Sequence, residues 1–401
     1  MARRYLILRS NIDRESKETH RRSATRGALE STTNEELSIE TLDGHETDAG
    51  KLREDPKNAV VLDADIMLSL IEPQAIATAD TASLKPVGTL RMANGLLAVG
   101  AHTSPFTGQG VTVAVLDTGI DAGHPAFARK VLAVQNFTNE GAANDVADQN
   151  GHGTHCAATV CGTPVGDVGV GVAPGVTKLC VGKVLGADGG TAEMLLRGML
   201  WAVMDQGATV VSMSLGYDLA GNTERLVQRG LTIAQAANVI LRQQADLITS
   251  VSRLRSFLES RSTNVMFVAA SGNESHRPQF VLDAGLPAAE LFAVGAVGAT
   301  TAGDKWTIAP FSNGRAQLVA PGVDVLSAAV GGGWCSMSGT SMATPHVAGI
   351  AALWFEKRRN EGSLAIPDMV RASIKASATR TLLLDNDIGA IGAGMVQAPQ
   401  S

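Results

Sequence analysis

Three polar side chains in this chain have the types and surroundings that hydrolysis of an acyl bond requires. Ser341 lies in the sequence GTSMATPH (339–346), directly ahead of an apolar run that predicts a helix. A serine at a helix start lies near free N–H groups and the positive end of the helix dipole, which stabilise a developing oxyanion. A serine hydroxyl is inert at neutral pH until a base takes its proton and a third group holds that base. Ser341 is therefore a candidate nucleophile, and its chemistry requires a base and an acid elsewhere in the chain.

Two further segments supply these groups. His152 lies in NGHGTH (150–155), where the glycines and the following small residues predict the beginning of a helix. Asp117 ends the apolar run VAVLD (113–117), which has the pattern of a buried strand. The sequence thus predicts His152 as general base and Asp117 as the group that orients its imidazole.

The order Asp117, His152, Ser341, together with these local sequences, resembles the subtilisin-like serine proteases (subtilases), in which acid, base and nucleophile follow one another in this order. The resemblance extends over roughly residues 87–398. It implies a serine endopeptidase that hydrolyses peptide bonds through an acyl-enzyme intermediate, with protein and peptide substrates.

The resemblance also implies which residues bind substrate. The side-chain amide of Asn273 and the backbone N–H of Ser341 would hold the oxyanion. The two walls of the primary specificity pocket would be formed by small residues, Ser214, Leu215 and Gly216 on one side and Ala270, Ser271 and Gly272 on the other.

The loop around Gly189 resembles the edge segment that adds to a substrate as a β-ladder, a mode that reads backbone rather than sequence. Because the predicted pocket walls are small and uncharged, with only Glu274 near the rim, we expect broad specificity with an apolar P1 residue. Pro287 resembles the cis-proline near the base of the pocket.

Strand-like and helical segments alternate from about residue 107 onward. Continuous apolar strands with helical crossovers predict a parallel sheet flanked by helices on both faces, an α/β fold of the subtilisin-like type. The predicted strands are 111–116, 131–134, 179–184, 209–213, 265–269 and 293–297, with helices at 153–161 and 192–206. In such a sheet the functional groups lie at the carboxyl ends of strands or at helix starts.

The first 85 residues differ from the rest in composition. They hold 12 lysines and arginines and 16 aspartates and glutamates, and residues 10–58 are predicted to be solvated and partly disordered, with little apolar periodicity. Strand-like runs flank that stretch at 5–8 and 59–62, and 66–71 forms a third apolar run. In place and size this segment resembles the N-terminal pro-region of the subtilisin-like family. The resemblance implies a small α+β pro-region (1–85) that acts as an intramolecular inhibitor, followed by a catalytic domain (86–401), and a flexible N-terminal extension is the alternative.

A helical segment at about 217–262 is longer than the family norm. Apolar residues recur with a helical period from 232 to 258, which predicts one long helix or two helices with a break near Asp246. Its expected role is packing, and a partner surface is the less favoured interpretation.

Bulk properties exclude several classes of function. With a net charge of −6 the chain lacks the excess of basic residues that is typical of nucleic-acid-binding proteins. The sequence also contains no run of 18 apolar residues, the length that would indicate a membrane span. The N-terminal sequence MARRYLILRS lacks the apolar region of a Sec signal, so the expectation is an intracellular protein or one exported by another route. The four cysteines are expected to be buried free thiols.

No metal or other cofactor is expected to take part in catalysis. Where secreted relatives often carry a calcium-binding aspartate, this chain has Ala126, and the loop 162–167 offers only Asp167 as a carboxylate. Because Ca²⁺ requires six to eight oxygen ligands, the usual strong site is in doubt, although a structural calcium elsewhere stays open. His155 forms an H-x-x-H pair with His152 without the glutamate of a zinc protease, and His346 is expected to be a core histidine.

Alternative functions fit the sequence less well. A catalytically silent, protease-derived binding module is disfavoured because all four predicted catalytic side chains are intact. An α/β-hydrolase esterase needs Gly-x-Ser-x-Gly and a different residue order. An acid peptidase of the sedolisin type uses a glutamate where this chain has His152.

Overall fold

The structure is a computed structural model of the 401-residue chain. It describes residues 3–12, 35–44, 51–52, 58–63, 66–73, 75–78, 84–261 and 264–401. The chain divides into two compact units, the smaller comprising Met1–Ile66 with Ala220–Phe257 and the larger comprising Met67–Leu219 with Leu258–Ser401.

Strands account for much of the described chain. In order they are β1 (Arg3–Ile12), β2 (Glu35–Gly44), β3 (Asn58–Asp63), β4 (Met67–Leu70), β5 (Ala75–Thr78), β6 (Lys85–Val87), β7 (Leu90–Met92), β8 (Thr112–Asp117), β9 (Val131–Asn136), β10 (Val168–Gly169), β11 (Lys178–Lys183), β12 (Gly190–Thr191), β13 (Val210–Met213), β14 (Leu215–Tyr217), β15 (Met266–Ala270), β16 (Phe292–Ala299), β17 (Trp306–Ile308), β18 (Leu318–Pro321), β19 (Val325–Ala328) and β20 (Trp334–Ser338).

The helices vary widely in length. They are α1 (Asn94–Ala98), α2 (His152–Cys161), α3 (Ala192–Leu200), α4 (Leu219–Gln228), α5 (Ile233–Ser260), α6 (Thr340–Asn360), α7 (Pro367–Ser377) and α8 (Ile388–Ile391), with short 3₁₀ turns at Ala101–Thr103, Pro125–Phe127 and Leu286–Ala289 and a π-helical turn at Trp201–Asp205. None of the helices in the described ranges combines the length and the apolar character needed to cross a membrane.

The smaller unit contains an antiparallel sheet in the order β2-β1-β3. Tyr5 and Ile7 alternate along β1 and are buried, and Leu52 packs against them. β1 and β3 confirm the strands predicted at 5–8 and 59–62. The described side chains of β2, residues 39–43, are half-buried or exposed, as predicted for 10–58. The predicted partial disorder was wrong for β2, because pairing with β1 stabilises this charged stretch as a strand despite its few apolar residues. Residues 13–34, 45–50 and 53–57 lie outside the described residues.

A mostly parallel eight-stranded sheet forms the centre of the larger unit. The strand order is β17-β16-β15-β13-β8-β11-β9, with β18 also pairing β16, and only β17 runs antiparallel to its neighbour. All residues of β13 and β15 are buried, as are the last five residues of β8. Consecutive buried residues on a strand require cover on both faces of the sheet, so the predicted α/β fold is confirmed.

Helix α6 is the principal packing element of this unit. It contacts β13, β15, β16 and β18, and it also packs against α2. Residues from Val347 to Leu353 are all buried, as expected for the apolar run behind Ser341. This packing fixes the first turn of α6, and therefore Ser341, relative to the carboxyl ends of the central strands.

The helix predicted within 232–258 is present as one continuous helix, α5, without a break at Asp246. Helix α4 precedes it as a separate element that the sequence analysis did not identify. The prediction of a cis bond before Pro287 was wrong, since the cis bond in the described part of the chain precedes Pro278.

Candidate active site

Asp117 and His152 form a buried pair at the centre of the larger unit. Asp117 is the last residue of β8 and is 1 % exposed, while His152 is the first residue of α2 and is completely buried. Nδ1 of His152 lies 2.8 Å from Oδ1 of Asp117, which also accepts a hydrogen bond from the N–H of Thr118 at 2.7 Å. Because a carboxylate can only accept, Nδ1 carries the proton and the lone pair of the neutral ring lies on Nε2.

The neighbours of this histidine raise its pKa despite its burial. Burial has the largest single effect and lowers the pKa of His152, but the interactions with Asp117 and, to a lesser extent, Cys156 together outweigh burial, and the pKa lies well above its ordinary value of 6.5. The pair therefore favours the imidazolium form, the species that a general base becomes after it has taken a proton.

Ser341 is the second residue of α6 and is fully buried. Its hydroxyl donates a hydrogen bond of 3.2 Å to the carbonyl oxygen of Ile71, a residue of the larger unit. Nε2 of His152 has no hydrogen-bond partner among the described residues. In this structure the hydroxyl of Ser341 is thus directed to a peptide carbonyl and not to the imidazole.

Asn273 lies on the other side of the same peptide segment. Its Nδ2 donates to the carbonyl oxygen of Glu72 at 2.9 Å. Its Oδ1 accepts from both the backbone N–H and the hydroxyl of Thr340, each at 2.9 Å. Since both donors of Thr340 hold the amide oxygen, the amide nitrogen is directed toward the bound carbonyl.

Thr340 is a site residue that the sequence analysis missed. Besides holding Asn273, its Oγ1 accepts the N–H of Gly272 at 3.2 Å, which links the first turn of α6 to the end of β15. Its position next to Ser341 was a sequence signal that Thr340 lies in the site. The sequence alone does not reveal which distant side chain Thr340 contacts. Gly339 is needed for the same approach, since a Cβ there would lie 3.0 Å from Nδ2 of Asn273.

The predicted pocket walls lie next to these residues. Ser214 is 1 % exposed, and its hydroxyl donates to the carbonyl of Ser341 at 3.2 Å. Ala270 ends β15, and the N–H of the next residue, Ser271, donates to Val294 of β16 at 3.0 Å. Gly272 takes a left-handed φ of 110°. The structure therefore brings both predicted walls to the ends of neighbouring strands.

Strand β4 occupies the groove between the predicted substrate-binding edges. It pairs antiparallel with β14 through Leu70 to Leu215 and Ser69 to Gly216, and with β12 through Leu68 to Gly190. Three strands thus form a small antiparallel sheet, β12-β4-β14, that leads to Ser341.

The absence of a side chain at Gly189, next to β12, permits this close approach. Gly189 has φ of 85°, and a Cβ there would lie 2.6 Å from the carbonyl oxygen of Leu68. A Cβ at Gly216 would lie 3.4 Å from Cγ1 of Ile71, in ordinary contact with that side chain. Ile71 is 6 % exposed, so an apolar side chain is buried beside the predicted pocket.

Cys156 lies one helical turn beyond His152 and is fully buried. Its Sγ is 3.8 Å from Nδ1 of His152 and 3.4 Å from the carbonyl oxygen of Ser341. Burial raises the pKa of this thiol, so it remains protonated and acts as a weak donor. All four cysteines are free, as expected, but only three are buried, since Cys335 is half-buried.

The other conspicuous histidines are held by backbone groups. Nε2 of His155 lies 2.8 Å from the carbonyl oxygen of Val325, and Nδ1 of His346 lies 2.8 Å from that of Met342. Burial lowers the pKa of His155 to about 3 and that of His346 to about 4. Both are neutral core residues, and within the described ranges the one group of side chains spaced to hold a metal is Asp117, His152 and Cys156, which is the site itself.

The residues at the usual calcium position do not fit that ion. Ala126 offers no side-chain oxygen, and both carboxylate oxygens of Asp167 accept from Arg91, at 2.6 and 3.1 Å. The backbone N–H of Arg91 also donates to the carbonyl of Asp167 where β7 pairs with β10. A guanidinium therefore neutralises the carboxylate that this loop contributes.

Comparison with known proteins shows what this chain is similar to. A model of the subtilase family matches residues 108–393. The chain is 33% identical to an intracellular serine protease of Paenibacillus polymyxa over 72% of this chain and 79% of that protein. It is 34% identical to alkaline elastase YaB of Bacillus sp. (strain YaB), over 86% of this chain and 76% of that protein. It is 30% identical to the major intracellular serine protease of Bacillus subtilis (strain 168), over 69% of this chain and 79% of that protein.

Proposed function

The chain belongs to the subtilase family and is a serine-type endopeptidase, and on that basis we propose that Ser341, His152 and Asp117 form its catalytic triad. The observation that carries the proposal is the peptide in the groove: consecutive carbonyl oxygens accept hydrogen bonds from the hydroxyl of Ser341 and the amide of Asn273. The proposed nucleophile, Ser341, and the proposed oxyanion donor, Asn273, thus both hydrogen-bond to the same extended peptide segment.

The first half of the reaction forms the acyl-enzyme. Oγ of Ser341 attacks the scissile carbonyl carbon while Nε2 of His152 takes the hydroxyl proton. The C–N bond then breaks, and His152 returns the proton to the departing amine. Asp117 keeps the proton on Nδ1 and stabilises the imidazolium that forms, as the raised pKa of His152 supports.

The second half uses water in place of the serine hydroxyl. His152 takes a proton from water as its oxygen attacks the acyl carbon, and the same proton then returns to Oγ of Ser341. In both halves the negative charge on the carbonyl oxygen is stabilised by Nδ2 of Asn273 and the backbone N–H of Ser341. The hydrogen bonds from Thr340 support the role of Asn273, because they orient its amide before the charge develops.

We propose that the segment Met67–Pro73 acts as an intramolecular inhibitor of this site. It pairs with β12 and β14 in the way a substrate would, and Ile71 lies beside Gly216. Yet the hydroxyl of Ser341 donates to the carbonyl oxygen of Ile71, whereas Nδ2 of Asn273, the proposed oxyanion donor, donates to the next carbonyl oxygen, that of Glu72. Because the carbonyl beside Ser341 lacks the bond from Nδ2 and the hydroxyl proton is not directed to His152, the bound segment occupies the groove in a non-productive arrangement.

Specificity is proposed to be broad, with an apolar P1 residue. The ladder with β12 and β14 is made by backbone groups, so it constrains the extended shape of a substrate and not its sequence. By the register of this ladder Ile71 is in the P1 position, and its side chain is apolar and buried. The name of one relative, an alkaline elastase, is consistent with an apolar preference.

The proposed chemistry uses protein groups alone, with no cofactor. We propose further that Arg91 replaces calcium at the loop that carries Asp167. The guanidinium supplies the positive charge, and the pairing of β7 with β10 supplies the backbone contact.

An intracellular site of action is proposed from two relatives, both named intracellular serine proteases. Fractionation of the source cells, with activity measured in the soluble lysate and in the medium, tests this. Activity confined to the medium would contradict it.

The function is tested by labelling the purified protein with a fluorophosphonate and following casein hydrolysis in parallel. The triad predicts one labelled peptide, containing Ser341, and loss of hydrolysis in proportion to labelling. A labelled serine elsewhere would contradict the triad. A correctly folded, processed protein that neither reacts nor hydrolyses casein would instead favour the catalytically silent binding module.

A further inference from the structure

The turn that leads into β12 is tight and largely exposed. The N–H of Gly186 donates to the carbonyl of Gly189 at 2.8 Å, and the N–H of Gly189 donates to the carbonyl of Gly186 at 3.2 Å. Ala187 and Asp188, between these two glycines, are exposed. Because a short exposed turn buries little apolar surface, its position depends on the contacts that reach it from outside.

The carboxylate of Glu140 makes such a contact. Its Oε1 accepts the backbone N–H of Ala187 at 2.7 Å. Its Oε2 lies 3.7 Å from Nζ of Lys183, whose side chain is almost fully buried and also donates to the carbonyl of Ala147 at 3.0 Å. Hydrogen bonds to an ionised acceptor are stronger than those between neutral groups. A buried ammonium therefore attracts one oxygen of the carboxylate, while the other oxygen holds the turn.

Glu140 is fixed by its own loop, independently of this turn. Nδ2 of Asn136, a buried residue, donates to the carbonyl oxygens of Glu140 and Ala142, to the second at 3.2 Å. Oδ1 of Asn136 accepts the N–H and the hydroxyl of Thr138, at 2.9 and 2.7 Å. Since Asn136 is the last residue of β9, the carboxylate reaches the turn from a loop that is attached to the central sheet.

We propose that Glu140 is a positioning residue for substrates: it holds the turn 186–189 so that β12 can pair with the fourth and fifth residues upstream of the scissile bond. The inference rests on the proposed function, in which Ile71 occupies the P1 position. Counted from Ile71 as the first, the residues that pair with β12 are the fourth, Leu68, and the fifth, Met67.

The turn adjoins this pairing directly. Gly189 immediately precedes β12, and a Cβ there would lie 2.6 Å from the carbonyl oxygen of Leu68. A shift of the turn therefore changes how closely β12 approaches the bound strand. Ser341 lies on α6 and Leu215 on β14, so the contacts nearer to the scissile bond belong to elements that Glu140 does not hold.

The carboxylate of Glu140 should therefore matter only for substrates long enough to reach β12. Pairing with β12 is made in the bound substrate and in the transition state alike, so its loss should raise KM and leave kcat unchanged. A general defect of the fold would instead affect short and long substrates equally.

The test uses the processed enzyme and two peptides, with two and with five residues upstream of the scissile bond and otherwise identical. Glu140→Ala should raise KM for the longer peptide about tenfold, and it should leave kcat for that peptide, and both constants for the shorter one, within about twofold of wild type. Glu140→Gln keeps an oxygen acceptor for the N–H of Ala187 and should restore most of the loss in KM. Glu361→Ala removes an exposed carboxylate that pairs with Lys357 and is the matched control. Equal losses for both peptides, an unchanged KM, or a Glu140→Gln variant as poor as Glu140→Ala would overturn the proposal.

A second variant reaches the same contact from the turn. A Cβ at Gly186 would clash with the carboxylate of Glu140, and the three atoms nearest to that Cβ all belong to this side chain. The backbone of Gly186 does not take a positive φ, so alanine is otherwise compatible with it. Gly186→Ala should therefore raise KM for the longer peptide as Glu140→Ala does, and it should cost nothing further in a Glu140→Ala background. Additive losses would contradict a shared contact.

Titration with a fluorophosphonate gives the fraction of active enzyme in each preparation, and rates are divided by that fraction. A cavity of about 230 Å³ adjoins Glu140 and Lys183, so truncation of Glu140 widens an existing recess and should leave the fold intact. If Glu140→Ala does not fold, Gly186→Ala decides alone. If the wild type cleaves neither peptide, the proposed protease function fails, whereas cleavage of both without a selective loss in the variants rejects only the role of Glu140.

Discussion

The hydroxyl of Ser341 donates to the carbonyl oxygen of Ile71 across 3.2 Å, within the same polypeptide chain. This contact takes up the proton that the proposed mechanism transfers to His152, whose Nε2 has no partner among the described residues. The nucleophile is thus hydrogen-bonded to a backbone carbonyl of its own chain. Catalysis on another chain requires that Met67–Pro73 leave the groove and that the hydroxyl turn to the imidazole.

Ser341→Ala should abolish fluorophosphonate labelling and lower casein hydrolysis by several orders of magnitude, because no other group supplies the nucleophile. The fold should be retained, since the change removes one oxygen from a helix that is held by its packing. Far-UV circular dichroism and the melting temperature check this second point. Ser373→Ala, at a half-buried position of α7 where the hydroxyl donates to the carbonyl oxygen of Met369, is the matched control and should behave as wild type.

Activity should rise with pH around a midpoint above 6.5, since only neutral His152 is a base and the pair with Asp117 raises the pKa of this group. The measurement is kcat/KM against pH on a neutral peptide. Asp117→Asn removes the charge, so the midpoint should fall and the maximal rate should drop steeply. An unchanged midpoint in Asp117→Asn would contradict the conclusion that the charge of Asp117 raises the pKa of His152.

The same pair links stability to pH with a defined sign. A histidine whose pKa is higher in the folded than in the unfolded chain stabilises the fold most below pH ~6.5. This contribution is lost as pH rises through the folded-state pKa. The melting temperature of Ser341→Ala should therefore fall as pH rises above about 6.5, and by less in the double variant that also carries Asp117→Asn.

Thr340 should act through Asn273. Asn273→Ala is expected to lower kcat by about 10²- to 10³-fold with little change in KM, the range that loss of this donor costs in subtilisin itself. Thr340→Ala removes one of the two bonds that hold the amide oxygen, so a smaller loss in kcat is expected, with KM again unchanged. Thr340→Ser keeps the hydroxyl and should restore kcat.

The double variant separates positioning from packing. If Thr340 acts only by orienting the amide, Thr340→Ala should cost little in an Asn273→Ala background. Additive losses would mean that Thr340 supports the first turn of α6 independently of Asn273.

The local sequences around Asp117, His152 and Ser341 placed these residues correctly at a strand end and at two helix starts, because strand and helix boundaries follow from short-range patterns. The contacts of Asn273 with Thr340 and of Arg91 with Asp167 join residues 67 and 76 positions apart, and no local pattern specifies them. Strand β2 was missed for a similar reason, since its pairing partner and not its composition stabilises it.

Chelation with EDTA should shift the melting temperature little, because both carboxylate oxygens of Asp167 accept hydrogen bonds from Arg91. Arg91→Gln should lower the melting temperature modestly, since the ion pair is exposed and such pairs contribute little. Added calcium should not restore it, because Ala126 supplies no ligand. A large EDTA shift in the wild type, measured by calorimetry, would show a metal site elsewhere in the chain.

The final prediction concerns the bond that the enzyme cleaves in its own chain. If Ile71, which follows the residues of β4 paired with β14, is the P1 residue as proposed, processing should cut after Ile71 and leave Glu72 as the new N-terminus. The divided contacts at Ser341 and Asn273 should make this step slow, with intact and processed chains coexisting during purification. Ser341→Ala should stay at 41.5 kDa, and Ser373→Ala should be processed as wild type. N-terminal sequencing and mass spectrometry give the bond directly. Full activity in a chain that still carries residues 1–71 would show that Met67–Pro73 leaves the groove without being cut, and would make it a reversible inhibitor.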